Sequence, residues 1–136
     1  MKQIRKKFET LGFKTRGSDS EWSVMVPMTA SMLRALQWRD KDEEGISVDA
    51  LRIKWWAKEF IIQEYAWDPI MGWVPGCYYL GDKEKIISRL LKILRDFQKD
   101  PFWFGGKNET KEKDIVRCFS FFGGVKNEVV VSWRRK

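Results

Sequence analysis

The chain has no histidine among its 136 residues, which removes the commonest general base and the commonest zinc ligand together. Cys77 and Cys118 lack the CxxC spacing of a metal or redox site. Each reads as a small buried hydrophobe, with a disulfide between them left open. Asp40, Asp42, Glu43 and Glu44 lack the alternating ligands and distal glutamate of a calcium loop, so they read as a solvated connection. The stretch "FGGKNET" shares only a Gly-Lys step with a phosphate-binding loop, and neither Gly105-Gly106 nor Gly123-Gly124 extends into a nucleotide fingerprint. Carboxylate pairs such as Glu43-Glu44 lie in hydrophilic surroundings, where nothing desolvates them for acid–base work. These residues point away from catalysis and from any metal or cofactor, and leave binding as the chemistry to look for.

Three groups of residues could bind. Lysine and arginine outnumber acids 26 to 19, a net charge of +7, and the excess lies toward the two ends of the chain. Lys2, Arg5, Lys6 and Lys7 near one end and Arg134, Arg135 and Lys136 at the other would form one basic face for a polyanion if the termini meet. A central group, Arg52, Lys54 and Lys58, lies in a tryptophan-rich stretch and adds cations for phosphate. The third group is apolar: Trp67, Ile70, Met71 and Trp73 in "WDPIMGWVPG" are residue types that dominate protein interfaces. Exposed on a broken backbone, they would mark a protein-partner site. Phe119 and Phe121, alternating on one strand with Arg117, offer a further surface for stacking unpaired bases.

The elements that must position these groups follow from periodicity. Ile4, Phe8 and Leu11 form the apolar stripe of a short helix over residues 2–11, and Trp22, Val24 and Val26 alternate as a strand in a hairpin spanning Phe13 to Val26. Thr29 is an N-cap for a helix to about Trp38, with Met32, Leu33 and Leu36 inward. Ser47 is a second N-cap candidate, and with no Gly or Pro from Val48 to Trp67 that segment is expected to be helical. Ile53, Trp56, Phe60 and Ile61 would line one side, so the tryptophans here serve the core. Residues 68–76 read as a loop and Cys77–Leu80 as a short strand. Asp82 caps the clearest helix, 83–99, and residues 115–133 read as a C-terminal β-hairpin.

The central stretch can be laid over a winged helix-turn-helix. "MTASMLRALQW" supplies a first helix, "SVDALRIK" a second and "WWAKEFIIQEYAW" a recognition helix; "MGWVPGCYYLGDKEKIISRLLKILRDF" resembles the wing, its return strand and the following helix. The portion from Met71 is similar to small phage-type winged-helix proteins. The resemblance covers residues 29–97 and implies DNA binding in preference to RNA.

The expectation is therefore a single α+β domain over 1–136, with a winged-helix-like helical centre, an N-terminal helix and hairpin, and a C-terminal β-hairpin. Its expected function is non-catalytic nucleic-acid binding in a regulatory role, of viral or mobile-element type. The alternative is an inhibitor or adaptor acting on a host protein through the aromatic-rich loop. With no run of about 18 apolar residues and no signal-like N-terminus, a cytoplasmic protein without a membrane partner is expected.

Overall fold

The computed structural model describes residues 2–42 and 44–99, and the backbone of residues 115–119 and 129–131. The elements in order are α1 (Lys2–Thr10), β1 (Thr15–Gly17), β2 (Trp22–Pro27), α2 (Ala30–Leu36), β3 (Ala50–Trp56), β4 (Glu59–Asp68), β5 (Gly72–Tyr79), α3 (Lys83–Lys99), β6 (Ile115–Phe119) and β7 (Val129–Val131). The mixed α/β class agrees with the sequence expectation, but the molecule is richer in sheet. Strands β1 to β5 form an antiparallel meander that β6 and β7 continue, in spatial order β1 through β7.

Alternation on each strand sends one set of side chains into the core. Trp22, Val24 and Val26 on β2 register with Trp55, Ile53 and Leu51 on β3, and these with Phe60, Ile62 and Glu64 on β4. Helices α1, α2 and α3 close this face: Phe8, Leu33, Leu36, Ile87, Leu90 and Leu94 are all buried in the same cluster. Each such aliphatic side chain stabilises the fold by roughly 1.5–3 kcal/mol on full burial. Local signals place the helices as read from sequence. Thr29 Oγ1 accepts from the Met32 amide at 3.2 Å and Asp82 Oδ1 from the Lys85 amide at 3.0 Å, which satisfies donors that each helix start leaves free. Helix α2 stops two residues before Trp38 because Gln37 turns left-handed at φ 62°.

Residues 48–67 are not helical. They form the hairpin β3–β4, and Ser47 caps no helix but bridges to Lys41. The segments that the winged-helix layout gives to its second and recognition helices are these strands, so that arrangement is not confirmed. The physical reason is twofold. Leu51, Arg52, Ile53 and Lys54 alternate apolar and polar with period two, and Ile61, Ile62, Tyr65 and Trp67 are β-favouring types. The reversal is carried by Ala57 and Lys58, both with positive φ, 53° and 64°. A two-residue hairpin turn of this kind normally announces itself with Asn-Gly, and here it is written in good helix formers.

The expected loop at 68–76 is likewise mostly strand. Asp68 Oδ1 accepts from the amides of Ile70 and Met71 at 2.7 and 2.9 Å, and Gly72 at φ 82° completes the turn into β5. Between Gln63–Tyr78 and Tyr65–Pro75 the register shifts, with Gly76 and Cys77 opposite Glu64. This bulge returns Tyr79 to the core while leaving Pro75 and Trp73 on the other face. Of the expected C-terminal hairpin at 115–133, the antiparallel backbone pairing of β6 with β7 is described, and its connection lies outside the described residues.

Candidate functional site

Because β3 and β4 are strands, the residues that alternate with the core set share the face that carries no helix. Arg52, Lys54 and Trp56 lie there on β3, and Ile61, Gln63, Tyr65 and Trp67 on β4. Tyr78 stands across from Gln63 and Trp73 across from Trp67. On the far side, Arg16 registers with Ser23, which registers with Lys54. Three of the five aromatic side chains of β3 and β4, Trp56, Tyr65 and Trp67, are thus presented on this face together with two cations.

Several contacts fix this surface. Lys54 Nζ lies 5.6 Å from the centroid of the Trp56 ring, a cation–π distance, and 3.8 Å from Glu21. Arg52 donates to the Tyr65 hydroxyl at 3.1 Å, and Gln63 donates its amide to the Gly76 carbonyl at 3.1 Å. The Gln63 bond directs the amide NH2 at the backbone and leaves its oxygen to serve as an acceptor. Arg52, Lys54, Trp56, Ile61, Gln63 and Tyr78 surround an open depression of about 180 Å³. Trp56 is 50% exposed although the sequence reading gave it to the core.

At the other end of the face, Trp67 and Trp73 meet edge to face with centroids 5.1 Å apart. Trp67, Ile70 and Met71 are 54%, 91% and 44% exposed at the β4–β5 turn. The turn is held by Asp68, and Asp49 accepts from the Trp67 amide at 2.7 Å. The apolar group picked out from sequence is therefore exposed, on a regular hairpin and not on an irregular loop.

The N-terminal cations lie elsewhere. Helix α1 packs through Phe8 into the helical side of the core. Arg5 donates to Thr15 Oγ1 and to the Gly17 and Ser18 carbonyls at 2.8 to 3.1 Å, tying α1 to the β1–β2 turn. Lys2 pairs with Asp19 at 3.6 Å, while Lys6 and Lys7 are exposed. Lys58 occupies the β3–β4 turn. Arg134, Arg135, Lys136 and Phe121, and the side chains of Arg117, Cys118 and Phe119, lie outside the described residues.

One buried ionic group sits under the sheet. Glu64 is 3% exposed and accepts from Trp38 Nε1 at 2.7 Å and from Arg39 at 3.0 and 3.1 Å through both carboxylate oxygens. Burial pushes the Glu64 carboxyl above its usual range, with Arg39 and Trp38 pulling the other way. For Arg39, burial acts to lower the guanidinium, but the Glu64 bonds and charge prevail and hold it above its ordinary value. The Trp38 ring lies 4.9 Å from that of Tyr79, so this group ties the end of α2 to β4 and β5. Enclosed as it is, it serves the architecture and not a ligand. Among the described residues no set of three or more Cys, Asp or Glu side chains is gathered as a metal would require. No helix among them is long and apolar enough to cross a membrane.

Sequence reasoning reached Arg52, Lys54, Lys58 and Gln63 but placed them on a helix, and it missed Trp56, Tyr65, Tyr78 and Arg16 as surface partners. The signal that finds them is the period-two alternation of Arg52, Lys54, Trp56 and of Ile61, Gln63, Tyr65, Trp67. No protein-family model, no curated protein and no solved structure matches this chain.

Proposed function

We propose that this protein is a non-catalytic nucleic-acid-binding protein whose ligand lies on the helix-free face of its sheet. The observation that carries the reading is the alternation of Arg52 and Lys54 with the exposed Trp56, beside Gln63, Tyr65 and Tyr78. Cations there attract phosphate, and flat rings give bases a surface to stack on. The net charge of +7 adds a long-range attraction for a polyanion. The reading rests on the sheet and not on a winged helix.

The test is a fluorescence-anisotropy titration of labelled DNA and RNA at about 50 and 200 mM salt. Three phosphate contacts, from Arg52, Lys54 and Lys58, give a log–log salt slope near −2, hence roughly a tenfold or greater loss over that range. Binding of no nucleic acid at the lower salt refutes the proposal. A second reading, docking of a protein partner, is favoured by the exposure of Ile70 and Met71 at the β4–β5 turn. Its signature is capture that Ile70→Ser abolishes and that salt leaves unchanged.

A further inference from the structure

The tryptophans of the helix-free face stand at two places. Trp56 is at the end of β3 where it turns into β4, across from Glu59, and the Trp67–Trp73 pair is at the opposite end of β4. From Glu59 to Trp67 is eight steps of about 3.3 Å, roughly 26 Å along the strand. Between them, in order, come Lys54 beside Ile61, Arg52 beside Gln63, and Tyr65. The two ends differ in charge. Lys54 lies 5.6 Å from the Trp56 ring centroid and 3.8 Å from Glu21, and Lys58 occupies the adjoining turn, whereas the carboxylates near Trp67 belong to Asp49 and Asp68, each occupied by backbone amides.

Resting on the nucleic-acid reading above, we infer that the ligand is an unpaired strand, lying along β4 from Trp56 to the Trp67–Trp73 pair. A duplex hides the faces of its bases, and its major groove, about 12 Å wide, admits a helix or a two-stranded ribbon but not the broad face of a five-stranded sheet. A surface of exposed rings is useful only to bases that are free to stack. The length suits a segment of about four nucleotides or more, the lower end of known site sizes. Phosphates are held at the Lys54–Arg52 end, and the Trp67 end binds by stacking alone. Salt dependence and stacking thus belong to opposite ends of one track, which a wholly electrostatic surface would not show.

The experiment compares a labelled oligothymidylate of about twelve nucleotides, an oligouridylate of equal length and a duplex of about twelve base pairs. They are titrated against the full chain and against Arg52→Ala, Trp67→Ala and Trp73→Ala. The expected result is that one or both single strands bind at least tenfold tighter than the duplex. Trp67→Ala should then weaken single-strand binding about tenfold with an unchanged salt slope, and Arg52→Ala should lower the slope by about one. Trp73→Ala repeats the stacking test should Trp67→Ala lose its circular-dichroism spectrum. Equal or tighter binding of the duplex, or tip variants that leave single-strand affinity intact, overturns the unpaired-strand assignment while a reduced slope in Arg52→Ala leaves the face reading standing. If none of the three probes binds, the face reading itself fails.

Discussion

Two tryptophans that look alike in burial differ in what their nitrogens do. Trp38 donates from Nε1 to the buried Glu64, whereas the Trp22 indole N–H is enclosed without a hydrogen-bond partner. Trp38→Phe removes a bond to a charged group and leaves the carboxylate short of a donor, so a loss of about 2–3 kcal/mol in urea unfolding is expected. Trp22→Phe relieves an unsatisfied donor at the expense of some packing, and its loss should be the smaller of the two. The Arg39–Glu64 pair makes a sharper case. Arg39→Met strands a carboxylate among apolar neighbours, and breaking such a pair costs about 3–5 kcal/mol near neutrality. The sign with pH follows from the carboxyl being held above its ordinary 4.5 in the fold. Such a group takes up a proton on folding, so its contribution is full below that value and shrinks as pH rises through the folded value. Losing Arg39 widens this window, so the deficit of Arg39→Met against the parent protein should be small near pH 4 and largest near pH 7. A deficit independent of pH would mean that Glu64 is ionised alike in both proteins.

The β3–β4 hairpin is the element on which the site depends, and its turn is locally unfavourable. Ala57 and Lys58 both occupy the left-handed region, where non-glycine residues cost about 1–2 kcal/mol each. The cross-strand pairs Trp55–Phe60 and Ile53–Ile62 offset that cost and hold the register. Replacing the turn by Asn-Gly should therefore stabilise the protein by about 1–2 kcal/mol, read as a higher unfolding midpoint. No gain would indicate that the turn is relaxed by contacts outside the hairpin. This element also shows where sequence reasoning went astray. α1, β2, α2 and α3 were legible because each carries its own signal: the stripe of Ile4, Phe8 and Leu11, the alternation of Trp22, Val24 and Val26, and the caps Thr29 and Asp82. β3 and β4 were not, because a turn made of Ala and Lys carries no breaker, and apolar residues on both faces of β4 blur its period.

Taken as a whole, the molecule separates its charges by face. Arg16, Arg52 and Lys54 belong to the helix-free face, while α1 bears Lys6 and Lys7 on the helical side. If the sheet face is the site, Lys6→Ala with Lys7→Ala should change nucleic-acid affinity less than twofold at about 200 mM salt, since α1 packs on the opposite side of the sheet and salt screens its exposed charges. Arg52→Ala should act more strongly than the pair of α1 changes together. The reverse ranking, measured by the same anisotropy titration, would return the site to the basic end of the chain.

What the sequence by itself determined is local and compositional. Its lack of histidine, its positive charge, its helix caps and its amphipathic α3 all follow from residues near one another in the chain, where propensity and periodicity act directly. It also named Arg52, Lys54 and Lys58, and it marked Trp67, Ile70, Met71 and Trp73 as an exposed group. Only the tertiary structure decided which side of each strand faces water. A shift between helix and strand sends Trp56 from the core to the surface and brings Arg52 opposite Gln63, which on its other side faces Tyr78. That outcome turns on the register of β3 with β4 and on the bulge in β5, which are set by pairings between distant residues and by the burial of Glu64 beneath the helices.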